Sequence, residues 1–258
     1  MTSRLSAITW NTFREAVRDR VLYNLVLFVL LLVASAPLFS QISIGLEKLM
    51  LVNVGLSSIS LFGVIIAIFL GIGMVSKEID KKTLYTILSR PVRRWEFIAG
   101  KYLGLLLTLV VNAALMTVGF YAALLIFVHS LGRADALLLV AVYFIVLQFM
   151  MMVALTLLFS TFSSPIFSAI FAFALFVIGT FGEDLKNFAA MSQGATKWLA
   201  TAAAYVLPNF ASLNVIAQVA HEQGVSAHLV FFNTVYALLY SVAITAAAVL
   251  IFERRNLK

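Results

Sequence analysis

The sequence predicts an all-α, polytopic membrane protein with six transmembrane helices. Of its 258 residues, 63% are hydrophobic and only 11% are charged, whereas soluble domains carry about a quarter charged residues. Several apolar runs reach the roughly 20 residues that a membrane-spanning helix needs. Because no water reaches the bilayer core, the backbone amides must bond to one another, and the spans are therefore expected to be helices.

The chain opens with a segment that predicts an amphipathic helix over residues 1–20. On a helical wheel, Leu5, Trp10 and Phe13 lie on one arc, and Arg14 and Arg18 lie on the opposite one. This pattern is typical of a helix that lies in the membrane interface. A plain solvated lead-in is the alternative.

The apolar runs place the spans at about 21–39, 54–75, 97–128, 137–159, 166–181 and 229–252, within a transmembrane domain covering 21–258. In the second span, Gly63, Ala67 and Gly71 share one face, which predicts close approach of a neighbouring helix. Residues 183–228 are predicted to form short helices at the outer surface. A signal peptide competes for the first span, because Ala34–Ala36 resembles a cleavage site. The long amphipathic segment before it and Pro37 after it argue against cleavage.

The basic residues predict the orientation of these spans. With both termini inside, 14 of the 18 lysines and arginines fall on the cytoplasmic side. Cytoplasmic loops of membrane proteins carry such an excess of lysine and arginine. We therefore expect cytoplasmic N and C termini.

The most polar stretch of the sequence is 76–104. Its first part, 76–96, connects the second and third predicted spans, and the remainder begins the third span. The stretch holds seven basic residues, which are Lys77, Lys81, Lys82, Arg90, Arg93, Arg94 and Lys101. Apolar side chains such as Leu84, Ile87 and Leu88 are interleaved with them, and a merely solvated loop would not carry these. We interpret 76–96 as a docking element that faces the cytoplasm.

Motifs for nucleotide hydrolysis are missing from the sequence. Gly100-Lys101 is followed by Tyr102, so neither the phosphate-binding loop nor the magnesium-binding hydroxyl is present. There is also no cysteine. We expect no enzymatic activity, bound cofactor, metal or nucleic acid for this chain. Asn112 and Gln148 are polar within spans, where they form either interhelical hydrogen bonds or a candidate substrate path.

The central stretch resembles the segment between the first two hairpins of ABC-2-type transporter permeases. The resemblance is carried by Glu78, the run Thr83-Leu84-Tyr85-x-Ile87-Leu88-Ser89, Arg90-Pro91, Arg93-Arg94 and Gly100-Lys101. The amphipathic N-terminal (connecting) helix, the six spans and the ending Phe252–Arg255 also fit this type V exporter-like family. Lys82 departs from it, since glycine is usual there. Within the family, the chain is most similar to permeases of multicopper-enzyme maturation, such as the membrane subunit of the nitrous-oxide-reductase accessory transporter.

The resemblance implies an export permease of the bacterial inner membrane that pairs with two copies of a separate ATPase. That ATPase would bind ATP and magnesium. A second permease copy, membrane lipids and an accessory periplasmic protein are the other implied partners. The residues expected to couple to the ATPase are Glu78, Asp80, Lys81, Lys82, Thr83, Leu84, Ile87, Leu88, Arg90, Pro91, Arg93 and Arg94.

Two other functions compete with this one, a membrane-embedded enzyme and a stand-alone channel or secondary transporter. The enzyme would need clustered polar residues, and the polar residues of these spans are scattered. A secondary transporter usually places ionisable residues at mid-membrane, and the spans have essentially none. An external energy source is therefore favoured.

Overall fold

The computed structural model describes residues 2–18, 27–28, 47–80, 93–128 and 132–254. Within these ranges the chain is helical and contains no strand. The helices are α1 (Thr2–Arg18), α2 (Glu47–Asp80), α3 (Arg94–Val128), α4 (Leu137–Phe162), α5 (Pro165–Thr180), α6 (Gly182–Met191), α7 (Gly194–Val206), α8 (Ile216–Ala220) and α9 (Ala227–Arg254), with 3₁₀ turns at Arg133–Ala136 and Ala211–Leu213.

Four of these helices, α2, α3, α4 and α9, are long and apolar enough to cross a membrane. Two bent helical pairs also pass this test when each pair is taken together. In the first, α5 turns by 59° into α6, and in the second, α7 turns by 47° into the segment Ala211–Ala220. The described part of the chain therefore offers four to six spans, and the predicted all-α, polytopic membrane class is confirmed. The predicted first span, 21–39, lies outside the described residues except for 27–28.

Helix α4 forms the centre of the bundle, because it packs against α2, α3, α5, α8 and α9. Its Phe144, Phe149, Met151 and Met152 are completely or almost completely buried. Contact on several sides explains why α4 is apolar around its whole circumference.

Glycines bring α2 close to its neighbours. A Cβ at Gly63 would overlap the ring of Phe149 on α4, and one at Gly71 would overlap the side chain of Thr156. Ala67, between the two glycines, is buried. The predicted small-residue face of α2 is confirmed, and its partner is the central helix α4.

The connection between α5 and α9 folds back onto both helices. The backbone N–H of Phe210 donates to the carbonyl of Gly179 at 2.9 Å. The N–H of Asn209 donates to the Tyr236 hydroxyl of α9, also at 2.9 Å. A Cβ at Gly182 would meet Asn209. This connection is therefore an ordered unit that includes α6, α7 and α8, rather than a simple loop.

An ion-pair cluster lies at the end of the bundle where α2 begins. Lys48 Nζ lies 2.8 Å from Asp135 Oδ1 and 2.9 Å from Glu222 Oε1. The Tyr121 hydroxyl donates to the Asp135 carbonyl at 2.7 Å. The cluster joins α2, the 3₁₀ turn before α4 and the turn after α8. We call this the Lys48 end, and the other end, where α1, the start of α3 and the end of α9 meet, the α1 end.

Candidate functional site

At the α1 end, Arg94 binds the last turn of α9. Its Nη1 donates to the carbonyl oxygens of Phe252 at 3.0 Å and Glu253 at 2.8 Å. The guanidinium carbon also lies 6.0 Å from the centre of the Phe252 ring. The last carbonyls of a helix lack partners within the helix and carry partial negative charge, so an arginine is favourable there.

Apolar contacts reinforce this link between α3 and α9. The rings of Phe97 and Phe252 stack with centres 5.8 Å apart and planes at 19°. Together with Ile98 and Ala248 they form a small buried cluster. The first turn of α3 and the last turn of α9 are therefore joined by both polar and apolar contacts, and we call this contact the α3–α9 junction.

The first turn of α3 is fixed by its own sequence as well. The carboxylate of Glu96 accepts a hydrogen bond from the backbone N–H of Arg93 at 3.0 Å. A glutamate at the third helical position that reaches back to the residue before the helix is half of a capping box. Glu96 is only 2% exposed. The junction thus begins at Arg93, within the last four residues of the predicted docking element, 76–96.

Helix α1 packs on the next turns of α3 through two glycines. A Cβ at Gly100 would come within 2.6 Å of Ile8, and one at Gly104 within 2.7 Å of the Thr9 carbonyl oxygen and 2.6 Å of Thr12. On the helical wheel of α1, Ile8 falls among the polar residues, and its contact with Gly100 accounts for an apolar side chain there. The four-residue spacing of Gly100 and Gly104 therefore lets α1 lie close to α3.

A buried lysine lies beside this α1–α3 contact. Lys101 is 2% exposed, and its Nζ lies 3.9 Å from Glu15 of α1 and 5.7 Å from the centre of the Phe97 ring. A buried ammonium is costly unless its charge is compensated. Glu15 and the face of Phe97 contribute to that compensation, so Lys101 connects α1 to the α3–α9 junction.

The structure places the predicted coupling residues at three kinds of position. Arg93 and Arg94 lie in the α3–α9 junction. Glu78 and Asp80 lie at the end of α2, with side chains outside the described part. The remaining eight lie outside the described residues, and they are Lys81, Lys82, Thr83, Leu84, Ile87, Leu88, Arg90 and Pro91. Their role as coupling residues stays a prediction.

The two polar residues of the predicted substrate path have different surroundings. Asn112 is buried in α3, and neither of its amide atoms has a hydrogen-bond partner within the described ranges. Gln148 of α4 accepts a hydrogen bond from Ser60 of α2 at 3.0 Å. Gln148 thus makes the interhelical hydrogen bond that was one of its two expected roles.

Gln148 also lines a cavity of about 170 Å³ between α2, α4, α5 and the segment before α8. Its polar lining residues are Ser57, Ser60, Gln148, Thr180 and Asn214. Its apolar walls include Phe176 and Phe210, whose ring centres are 5.6 Å apart. Among the described residues, none that line the cavity is charged, and the volume is enough for several water molecules.

The sequence alone did not identify this cavity. Ser57 and Ser60 are three residues apart on α2 and share a face, which was the available signal. Thr180 and Asn214 come from distant segments, and only the folded connection between α5 and α9 brings them to Gln148.

Within the described ranges, no cluster of three or more histidine or acidic side chains could hold a metal ion.

Comparison with known proteins identifies the family. The family model described as "ABC-2 family transporter protein" matches residues 6–257, which is nearly the whole chain. No curated protein matches the sequence. ABC-2 proteins of this kind are membrane components of ABC transporters that associate with an ABC ATPase subunit and are not enzymes themselves. The chain therefore belongs to the ABC-2 family of transporter membrane proteins.

Proposed function

We propose that this chain is the permease subunit of an ABC exporter of the bacterial inner membrane, and that residues 76–96 dock a separate ATPase. The observation that carries the proposal is the α3–α9 junction, which begins at Arg93, in the last turn of those residues. Arg94 is the second residue after 81–92, and it binds the end of α9. A displacement of the docking element would therefore reach α9 through Arg94.

The same displacement would reach α1. Gly100 and Gly104 hold α1 against the first turns of α3, and Lys101 adds its interaction with Glu15. Because these contacts are tight, α1, the start of α3 and the end of α9 would move together. Packed helices respond to such a push by switching between discrete arrangements rather than by bending gradually.

The energy source is proposed to be ATP hydrolysis in the partner subunit, which binds ATP and magnesium. The sequence supports this, because charged residues of the four long helices lie near the helix ends and not in their middle turns. Coupling to an ion gradient usually requires ionisable groups at mid-membrane. We further propose two ATPase copies, a second copy of this permease, and an accessory protein on the outer side.

We propose the orientation of the chain in the membrane from the positions of its basic residues. Arg4, Arg14, Arg93, Arg94 and Arg254 all lie on elements that meet at the α1 end. An excess of basic residues marks the cytoplasmic side. The α1 end is then cytoplasmic, and the Lys48 end with the connection between α5 and α9 faces outward.

The cavity beside Gln148 is proposed as part of the substrate path. Its uncharged polar lining and its Phe176–Phe210 wall fit an uncharged, partly apolar substrate. Asn112 is retained as a second candidate, because its buried amide has no partner in the described ranges. Such burial is costly, and polar residues kept inside membrane spans commonly have a functional role. A role in multicopper-enzyme maturation is the narrower form of this proposal.

The proposal is tested by purifying the chain with its candidate ATPase and measuring ATP turnover. Wild-type permease is expected to retain the ATPase and to stimulate it, whereas Leu84→Asp should do neither, because a charge replaces an apolar docking side chain. Leu84→Met, which keeps volume and hydrophobicity, is the matched control and should behave as wild type. Equal ATPase retention by the Leu84→Asp variant would contradict docking at 76–96.

A further inference from the structure

An open groove runs along the surface between α1 and α3. Its volume is about 710 Å³, and its walls are Leu5, Ser6, Ala7, Thr9 and Trp10 of α1 and Leu103 of α3. The walls are mainly apolar, as expected for a surface that contacts hydrocarbon rather than water.

The groove continues into an apolar stripe along α3. Leu103, Leu107 and Val110 follow one another at spacings of four and three residues, so they share one face of the helix. Each is 37–40% exposed, although α3 is packed on its other side. This stripe leads from the groove along a membrane-spanning helix and offers a path for an extended acyl chain.

A cationic and aromatic pair forms the rim of the groove. The Arg14 guanidinium lies over the Trp10 ring, 5.3 Å from its centre. Trp10 is half exposed, and its ring stacks on Phe13 with centres 5.3 Å apart. An arginine presents several donors to a phosphate, and tryptophan favours the headgroup level of a membrane.

We propose that this groove binds one anionic phospholipid. The phosphate lies on Arg14 beside the Trp10 indole, and one acyl chain follows the groove onto Leu103, Leu107 and Val110. An apolar groove with a positive rim is complementary to a molecule with an anionic head and a hydrocarbon tail. A helix with only apolar side chains would fill the walls but would not supply the negative charge that Arg14 attracts. The site goes beyond the proposed transport function and does not depend on the ATPase.

The test uses Trp10 as its own reporter. The chain has three tryptophans, Trp10, Trp95 and Trp198, so a Trp95→Phe, Trp198→Phe background leaves only the one in the groove. This protein is reconstituted into vesicles of phosphatidylcholine that contain increasing amounts of brominated phosphatidylglycerol or brominated phosphatidylcholine. Bromine quenches tryptophan fluorescence on contact, so quenching reports which lipid occupies the groove.

We expect half-maximal quenching at an about fivefold lower mole fraction of the anionic lipid, which is the advantage expected from one arginine near the membrane surface. Arg14→Gln in the same background should remove this difference. Arg254→Gln, which removes an exposed charge at the same end of the bundle, should keep it. Equal quenching by the two lipids, or a preference that persists in Arg14→Gln, would overturn the proposal and leave only ordinary contact with the membrane.

A second measurement needs no tryptophan replacements. Native mass spectrometry of the purified full chain should show one retained phosphatidylglycerol in the wild type and in Arg254→Gln, and none in Arg14→Gln. The same retention in all three proteins, or retention in none, would contradict a site built around Arg14. Because the ATPase is absent from both experiments, their outcome is separate from that of the docking test.

Discussion

Glycines at the helix contacts determine how closely the helices of this protein approach one another. At Gly104 an added Cβ would meet a backbone atom, the carbonyl oxygen of Thr9, at 2.7 Å. Backbone atoms cannot rotate away as a side chain can. The contact between α1 and α3 therefore tolerates no side chain at this position without a shift of one helix.

Gly104→Ala is expected to lower the free energy of unfolding of the purified protein by about 1–3 kcal/mol, the usual cost of overpacking. Gly73→Ala is the matched control, because a Cβ at Gly73 meets no atom of the described residues within 4 Å. That variant should be neutral or slightly stabilising, since alanine favours helices. Thermal unfolding in detergent checks both, and equal midpoints would show that the α1–α3 contact is looser than described.

In the ion-pair cluster at the Lys48 end, the two carboxylates that bind Lys48 differ in how deeply they are buried. The Asp135 side chain is 5% exposed, and it accepts a hydrogen bond from the N–H of Gly132 at 2.6 Å in addition to its ion pair. The Glu222 side chain is 56% exposed. Removing the buried carboxylate should therefore cost more than removing the exposed one.

We expect Asp135→Asn to destabilise the protein by about 2–3 kcal/mol, less than the loss of a fully buried pair because Lys48 is partly exposed. Glu222→Gln should cost less than about 1 kcal/mol, as is usual for exposed pairs. Thermal unfolding of the two variants at low and high salt measures both losses of stability. A larger loss for Glu222→Gln would contradict the unequal roles.

At the scale of elements, the α3–α9 junction connects the docking element to the last span. Arg94 does this with two hydrogen bonds to α9, whereas Arg254 lies exposed on α9 itself. Arg94 lies near the end of residues 76–96, and its side chain is bound to α9. Coupling and docking should therefore be separable at this residue.

Arg94→Gln is expected to retain the ATPase on purification but to reduce its permease-stimulated ATP turnover about 2- to 30-fold, the range of mutations that alter coupling. Arg254→Gln should leave turnover near that of the wild type. Loss of ATPase binding in Arg94→Gln would show that Arg94 belongs to the docking surface instead.

The long helices could be predicted from the sequence, whereas the contacts between distant segments could not. Long apolar runs predicted α2, α3, α4 and α9, and the small-residue spacing on α2 predicted its close packing. The bond from Arg94 to Phe252 joins residues 158 positions apart, and that from Lys48 to Glu222 joins residues 174 apart. No periodicity encodes such pairs. The cavity beside Gln148 was not predictable for the same reason, because its walls come from four separate segments.

At the scale of the whole molecule, the two ends of the bundle differ in construction. The α1 end combines a capped helix start, a buried lysine and an arginine bound to a helix end. In the described part of the chain, the Lys48 end is held by the ion-pair cluster around Lys48 and by the folded connection between α5 and α9. Under the proposed function, the α1 end is the one that the ATPase would push.

The central claim is that residues 76–96 contact the ATPase, and cross-linking from a single cysteine tests it most directly. Since the chain has no cysteine, Thr83→Cys gives one attachment point for a photoreactive reagent, and Gln193→Cys, at the turn between α6 and α7, gives a control. We expect illumination to link the ATPase to position 83 and not to position 193. A chain that links the ATPase only from position 193, or equally from both, would contradict the claim.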